Sequence, residues 1–556
     1  MNKPTSPLTP LEMFYHWEAN TPLKTYLRQP HDSQWQDYSW KQVGIESRKV
    51  ARALNSLGIN DGERVCILSK NCAHWVMADL AIMMSGGASA PAFTTMTAED
   101  VLFIVQHSNS QVIFVGQTDN WAEVKAVLPP HIKVIALPGA NIEGADFQWQ
   151  ELTTDYIPLA GNPYRAETDE LTTIYTSGST GQPKGVMYSF SGAGHVANNL
   201  HETFKMTEQD RCLSYLPMAH GFERALLGWM SMKSGFTIGF NDRQDTFSDD
   251  MQFIKPTLFQ SVPRLWTKFQ ESILSIFGGQ DSLKILLDDP ERSDLTKTKI
   301  QTALGLHEGR LFLTGSAPTP MPLHQWYESL DMPLCEIYGQ SEVLSGSSNL
   351  PWDRKPGTLG KPTCNTKLKI SDEGEILIKA DAMMTGYLHE EEKTNNTMVD
   401  GWIHTGDKGT IDNDGFLSIT GRVKEIFKTA KGKYVAPAPI EGLFVSNTDI
   451  EQVCLMGNGM ANTFLIVLLT PWAKDNDKTE TSNKLQDQIE KTNRLLDAHE
   501  RIAGALIVKD SWSSENGYLT HTLKIKRSAI EKAYQQSAEE AFDNGASTSN
   551  PLILWQ

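Results

Sequence analysis

A chain of 556 residues exceeds one ordinary domain and points to two to four. With 50 Lys and Arg against 67 Asp and Glu the net charge is −17, which disfavours nucleic acid and anionic surfaces as general partners. At 40% apolar residues a large core is available, so an anionic ligand needs a local cationic site.

The start, Met-Asn-Lys-Pro-Thr-Ser-Pro, has no apolar h-region, so no secretory leader is expected. The six cysteines (Cys66, Cys72, Cys212, Cys335, Cys364, Cys454) form no C-x-x-C pair, as expected of free, mostly buried thiols in a reducing compartment. The most apolar run, residues 464–469, is too short for a membrane span. A soluble cytoplasmic protein is expected; peripheral membrane contact stays open.

Residues from about 38 to 58 put Val43, Val50, Leu54 and Leu57 on one helical face, with Ser47 interrupting it and Gly58 ending it. A buried strand follows at 64–68, and further strands at 111–115 and 133–137 alternate with helical patterns. Alternation of this kind argues for an α/β fold, parallel sheets covered by helices.

Residues 172–187 read Thr-Thr-Ile-Tyr-Thr-Ser-Gly-Ser-Thr-Gly-Gln-Pro-Lys-Gly-Val-Met. Leu171, Ile174 and Tyr175 among β-branched threonines suit a strand. Then Thr176, Ser177, Gly178, Ser179, Thr180 and Gly181 offer close backbone approach, turn amides that nest an anion, and hydroxyl donors. Lys184 adds a cation. Pro183 stands where a Walker loop needs glycine, so this is a different phosphate cradle. A flexible Ser/Gly linker is the bland alternative, but linkers do not usually follow an apolar strand and end in Pro-Lys-Gly-Val. Residues 175–185 resemble the phosphate-loop signature of the adenylate-forming superfamily: acyl-CoA synthetases, luciferases and nonribosomal-peptide adenylation domains.

Further phrases resemble the long-chain acyl-CoA synthetase branch: Leu27-Arg-Gln-Pro30 followed by Tyr38-Ser-Trp40, and Gln-Ser-Val-Pro-Arg-Leu-Trp at 260–266. In that branch a Leu-Pro-x-x-His segment borders the acyl pocket, so the resemblance puts His220 on the route to the carboxylate; a core or capping histidine is the alternative. Arg224 is near a position where relatives carry a gating tryptophan, and no gate is assigned. Residues 278–307 are polar and read as a surface excursion.

The strand-turn Leu-Phe-Leu-Thr-Gly-Ser-Ala-Pro at 311–318 ends in small residues that let a flat ring lie on the backbone, and the resemblance assigns Gly315, Ser316 and Ala317 to adenine. At 336–342, Glu-Ile-Tyr-Gly-Gln-Ser-Glu combines an aromatic, a hydroxyl and a carboxylate suited to adenine, phosphate and Mg²⁺. The resemblance assigns Tyr338, Gly339, Gln340 and Ser341 to the nucleotide, and Glu342 with Thr176 to the metal. Asp407, in Gly-Trp-Ile-His-Thr-Gly-Asp, has two acceptor oxygens for the ribose hydroxyls. The Asp-Gly pair at 414–415 reads as a hairpin turn.

Residues 421–437 resemble the family's inter-domain hinge. Arg422 then reaches ribose or phosphate, Lys424 sits at the pivot, and Lys428, Gly432 and Lys433 face CoA, with a solvated basic face as the alternative. A large adenylation domain, 1–420, and a small mobile α+β domain, 421–556, are implied. The small domain shows a strand at 463–470 and a polar helix at 482–499 with Ser482 as N-cap. The late stretch 517–527 resembles the catalytic-lysine motif, which places that lysine at Lys524 with Lys526 as rival; Leu523 replaces the usual glycine.

The resemblance implies ATP-dependent activation of a carboxylic acid, a medium- or long-chain fatty acid, to an acyl adenylate and then transfer to CoA. ATP, Mg²⁺ and CoA are the cofactors and substrates it calls for. An acyl-AMP ligase serving a carrier protein, activation of an aryl or sulfur-containing acid, a luciferase-like oxygenase and a non-catalytic relative are the alternatives. Chain length is illegible here, because each buried methylene contributes only about 0.8 kcal/mol and pocket depth decides.

Overall fold

The strands foreseen at 64–68, 111–115 and 133–137 are Arg64–Leu68, Val112–Val115 and Lys133–Ala136, neighbours in one eight-stranded sheet. The computed structural model describes residues 7–31, 34–177, 183–445, 447, 449–513, 516–520, 524–543 and 545–556. The sheet runs Gly386–Tyr387, Pro183–Ser189, Glu170–Ser177, Ala88–Ala92, Arg64–Leu68, Val112–Val115, Lys133–Ala136, Phe147–Gln148. Neighbours from Glu170–Ser177 onward are parallel, whereas Glu170–Ser177 and Pro183–Ser189 form an antiparallel hairpin.

Helix Trp40–Ser56 opens on Ser39, whose side chain and that of Gln42 cap each other's backbone amides. Val43, Val50 and Leu54 are buried, and so is Ser47, whose hydroxyl donates to the Met77 carbonyl at 3.2 Å. The polar residue that seemed to break the apolar face therefore belongs to it: the hydroxyl is satisfied by the neighbouring helix Ala73–Ser85.

A second sheet carries Leu258–Ser261, Leu311–Gly315 and Leu334–Gln340 in parallel, then Val343–Ser348 and Lys361–Pro362 antiparallel. A third pairs Arg211–Ser214, Thr237–Phe240, Thr25–His31 and Gln34–Ser39. A fourth, antiparallel throughout, holds Lys367–Ile370, Glu375–Lys379, Trp402–Ile411, Met398–Val399 and Leu417–Arg422. The Asp-Gly hairpin is part of it, with Ile411 opposite Leu417 and Gly415 at φ +86. The excursion at 278–307 is exposed but helical, over Gln280–Asp288 and Ser293–Ala303, because Leu283 and Ile300 anchor it from below.

Near the C-terminus, Ile450–Met456, Thr463–Leu469, Ile502–Val508 and Leu552–Trp555 form a separate sheet with apolar clusters on both faces. Its helix is Lys478–Asn493, capped by Asp477, whose carboxylate accepts the Glu480 amide at 2.9 Å. Ser482 is not the cap: it lies inside the helix, where its hydroxyl accepts the Trp555 indole N–H at 2.9 Å. Asp477 already satisfies the free amides of the first turn, which leaves Ser482 for a tertiary contact.

A buried joint ties the first three sheets together beneath His220. Glu223, fully buried, accepts the Ser214 hydroxyl at 2.8 Å, the Tyr215 amide at 3.2 Å and Gln260 Nε2 at 3.0 Å. Arg224, also fully buried, donates to Asp79 Oδ1 at 2.5 Å and Ser89 Oγ at 2.7 Å, between Trp75 and Trp229. Ser89 in turn donates to Thr172, on the strand that leads into the phosphate loop. The winding at Arg224–Trp229 is a π-helix, the wider turn often found next to functional sites.

Two outcomes follow from this joint. Asp79→Ala strands a buried guanidinium and should lower stability by about 3–5 kcal/mol, read from denaturant midpoints. Burial pushes the Glu223 carboxyl up to about 8, against the lowering pull of its hydrogen bonds. A carboxyl raised in the folded state contributes stability that is full below the unfolded value and is lost as pH rises through about 8. The unfolding midpoint of the wild type should therefore fall between about pH 5 and 8.5 by more than that of Glu223→Gln, which has no proton to lose.

Candidate active site

Strands Glu170–Ser177 and Pro183–Ser189 pair with Thr176 opposite Lys184. The expected ligands Gly178, Ser179, Thr180 and Gly181, and the side chain of Ser177, lie outside the described residues. Thr176 Oγ1 is buried without a hydrogen-bond partner among the described residues.

Lys184 reaches across to the second sheet. Its ammonium is 2.5 Å from Glu342 Oε1 and 3.1 Å from the Tyr387 hydroxyl, and it sits 4.5 Å above the Tyr387 ring. The Tyr387 hydroxyl donates to the same Glu342 oxygen at 2.7 Å. Ser341 and Glu342 occupy the tight turn between Leu334–Gln340 and Val343–Ser348, and Glu342 is only 7% exposed. Burial pushes its carboxyl up, but Lys184 and the Tyr387 hydroxyl outweigh that and hold it below the usual carboxylate range. A buried carboxylate and an unpaired threonine hydroxyl are the hard oxygen donors that Mg²⁺ takes.

A second cluster surrounds Asp407. Its Oδ2 accepts the Tyr338 hydroxyl and Gln340 Nε2, each at 2.7 Å, and Gln340 also donates to the Thr405 carbonyl at 2.8 Å. Arg422, its register partner on the next strand, has Nε 3.0 Å from Oδ1. Gly339 is exposed in the same turn region, where an added Cβ would lie 3.0 Å from the Val343 carbonyl. At the end of Leu311–Gly315 an added Cβ on Gly315 would lie 3.0 Å from the Ile337 carbonyl, so glycine keeps the two strands close. Ser316, at φ +67, and Ala317 are exposed beyond it.

His220 caps the short turn Gly221–Glu223: its Nδ1 accepts the Phe222 amide at 3.1 Å. The capping alternative is therefore realised, and Nε2 is the nitrogen left for another role. Burial, reinforced by the charge of Lys524, brings the imidazole down to about 4, so it is neutral near pH 7. Lys524 is exposed at its residue surface, while desolvation, then Arg422, hold its ammonium below the usual lysine range and Asp407 and Glu425 oppose them. The late lysine thus stands within electrostatic reach of both the Asp407 cluster and His220.

Lys526 is half-buried, with its amide bonded to the Tyr518 carbonyl at 2.8 Å. Lys424, Lys428 and Lys433 are exposed, Lys428 lies 5.5 Å from the Tyr434 ring, and Gly432 turns the hairpin at φ +76. Among the described residues no hydrogen bond or ion pair joins these three lysines to Asp407 or Glu342. Tyr387, by contrast, escaped sequence reasoning. Its only signal is a Gly-Tyr pair, 203 residues from Lys184, and nothing in the spacing links them.

Residues 14–388 match the family model described as AMP-binding enzyme, and residues 424–546 match that of the AMP-binding enzyme C-terminal domain. The long-chain-fatty-acid–CoA ligase FadD15 of Mycobacterium bovis is 29% identical over 96% of this chain and 96% of its own. Long-chain-fatty-acid–CoA ligase 5 of Rattus norvegicus is 28% identical over 94% of this chain and 86% of its own. Among solved structures, the adenylation domain of a carboxylate reductase from Mycobacterium chelonae superposes with a TM-score of 0.81 at 20% identity, covering 98% of this chain and 92% of that one. The o-succinylbenzoate CoA synthetase of Bacillus subtilis gives 0.72 at 20% identity, covering 93% and 97%. With its fold matched from end to end and both family models satisfied in order, the chain belongs to the AMP-binding enzyme family and is an acid–thiol ligase.

Proposed function

We propose that the acid is a medium- or long-chain fatty acid and that the acceptor thiol is CoA. The observation that carries this reading is the pairing of Lys184 with Glu342 and of Arg422 with Asp407, with Lys524 within electrostatic reach of both Asp407 and His220. The names of the relatives, long-chain-fatty-acid–CoA ligases over nearly the whole chain, support the substrate class. The unpaired cysteines support a reducing, cytoplasmic setting, and among the described residues no helix is long and apolar enough to cross a membrane.

A carboxylate oxygen attacks the α-phosphorus of ATP, the bond to the bridging oxygen breaks, and pyrophosphate leaves with its electron pair. Two anions must approach, so fixed positive charge lowers the barrier. Lys524 supplies it at the developing charge. Lys184 and the loop amides hold the phosphates; Asp407, steadied by Tyr338 and Gln340, accepts the ribose hydroxyls; Gly315, Ser316 and Ala317 pack the adenine. Glu342 and Thr176 would hold Mg²⁺, which would supply charge neutralisation to the triphosphate. His220, neutral and capped through Nδ1, lines the path of the carboxylate.

In the second half-reaction the CoA thiolate attacks the acyl carbonyl and AMP departs. We assign residues 1–420 and 421–556 to two domains that turn about a hinge at 421–424. That rotation withdraws Lys524 and brings Lys428, Gly432 and Lys433 to the thiol's entrance. Lys524 is preferred to Lys526 because its charge acts on His220 and is itself acted on by Asp407.

Purified protein with ATP, Mg²⁺ and a panel of acids should release pyrophosphate with medium- and long-chain fatty acids and form thioesters with CoA in preference to a carrier protein. Silence across the whole panel sinks the reading. Lys524→Ala should slow adenylate formation by about 10²–10³-fold, while thioester formation from supplied acyl adenylate persists and Lys526→Ala stays near wild type. Equal loss of both half-reactions would remove Lys524 from the chemistry.

A further inference from the structure

Lys184 and Glu342 neutralise each other at 2.5 Å, although the reading above assigns them to opposite ligands, a phosphate and a cation. The pair must therefore open when both ligands arrive. Opening leaves a carboxylate only 7% exposed without its ammonium, and a buried anion of that kind is costly unless another donor stays with it. One does. The Tyr387 hydroxyl donates to the very oxygen that Lys184 holds, at 2.7 Å, and the phenol is itself 4% exposed.

Tyr387 is also firmly placed. Its strand pairs it with Val186, two residues beyond Lys184, and its amide donates to Thr394 Oγ1 at 2.8 Å. Its ring face lies 4.5 Å below the Lys184 ammonium, so the cation keeps a favourable surface to pivot on as it leaves the carboxylate. From its own turn Glu342 has its own backbone amide as a further hydrogen-bond donor.

The geometry points to Tyr387 as a positioning residue that keeps Glu342 aimed into the site while Lys184 exchanges the carboxylate for a phosphate, so that divalent cation and nucleotide bind interdependently. This rests on the assignment of Glu342 to the cation and Lys184 to the phosphates. By reciprocity, whatever factor the cation adds to nucleotide affinity, the nucleotide adds to cation affinity. Loss of the phenol hydroxyl should shrink that shared factor and leave cation-free nucleotide binding alone.

Calorimetric titration of the full-length protein with ATP, in Mg²⁺ and in EDTA, reads the factor directly. In Tyr387→Phe the enhancement by Mg²⁺ should fall by about tenfold or more, since a hydrogen bond to a charged group is lost. Affinity in EDTA should stay within about twofold of wild type. An unchanged enhancement overturns the proposal. Should Tyr387→Phe unfold, Lys184→Met gives the complementary reading by Mn²⁺ paramagnetic resonance without nucleotide: with the ammonium gone, Tyr387 alone presents Glu342, and Mn²⁺ should bind where the wild type requires ATP. Mn²⁺ binding no tighter than in the wild type also overturns it. A wild type that releases pyrophosphate but shows either negative result loses only the role of Tyr387, whereas one that releases none with any acid loses the proposed function first.

Discussion

The contact between Lys184 and Glu342 is the constraint around which the rest of the large domain is arranged. One partner closes the hairpin of the eight-stranded sheet and the other sits in the turn of the five-stranded sheet, 158 residues away. In a chain of net charge −17, cationic groups stand out locally, and here Lys184 stands near the end of a strand. Strand ends free backbone amides and side chains from the sheet ladder, while the sheets behind them hold those groups still. Ligands of α/β proteins commonly bind in such places.

Holding two sheet edges in register to within a hydrogen-bond length needs a rigid interior. The joint at Glu223 and Arg224 supplies it. Two adjacent residues reach Ser214, Gln260, Asp79 and Ser89, which belong to three sheets and one helix. Buried polar and ionised groups are a poor route to stability compared with apolar packing, but they admit few alternative arrangements. Because Glu223 and Arg224 follow His220 within one turn, the same network fixes the corner that His220 caps. Arg224 therefore has a structural occupation, between two tryptophans and an aspartate.

The adenosine side follows a different logic. Asp407 and Arg422 are cross-strand partners in the antiparallel sheet, while Tyr338 and Gln340 come to them from the parallel one. Lys524 comes from outside all of these sheets, within electrostatic reach of Asp407 and Arg422.

What the residues alone determined was local. The Ser/Thr/Gly run after an apolar strand, the Asp-Gly hairpin, the buried strands at 64–68 and 463–470 and the helix from about 38 to 58 are legible because they depend on side-chain period, turn chemistry and β-branching within a few positions. The family and the acid–thiol ligase activity were legible for the same reason, since each motif is a short contiguous phrase. Only the tertiary structure decided that Ser47 is core, that Ser482 serves Trp555 rather than its own helix, and that Tyr387 stands on Glu342. Each of those outcomes is a competition for one hydrogen-bond partner brought in from far along the chain. Sequence spacing carries no trace of that partner, because sheet order and register, not proximity in the chain, bring it there.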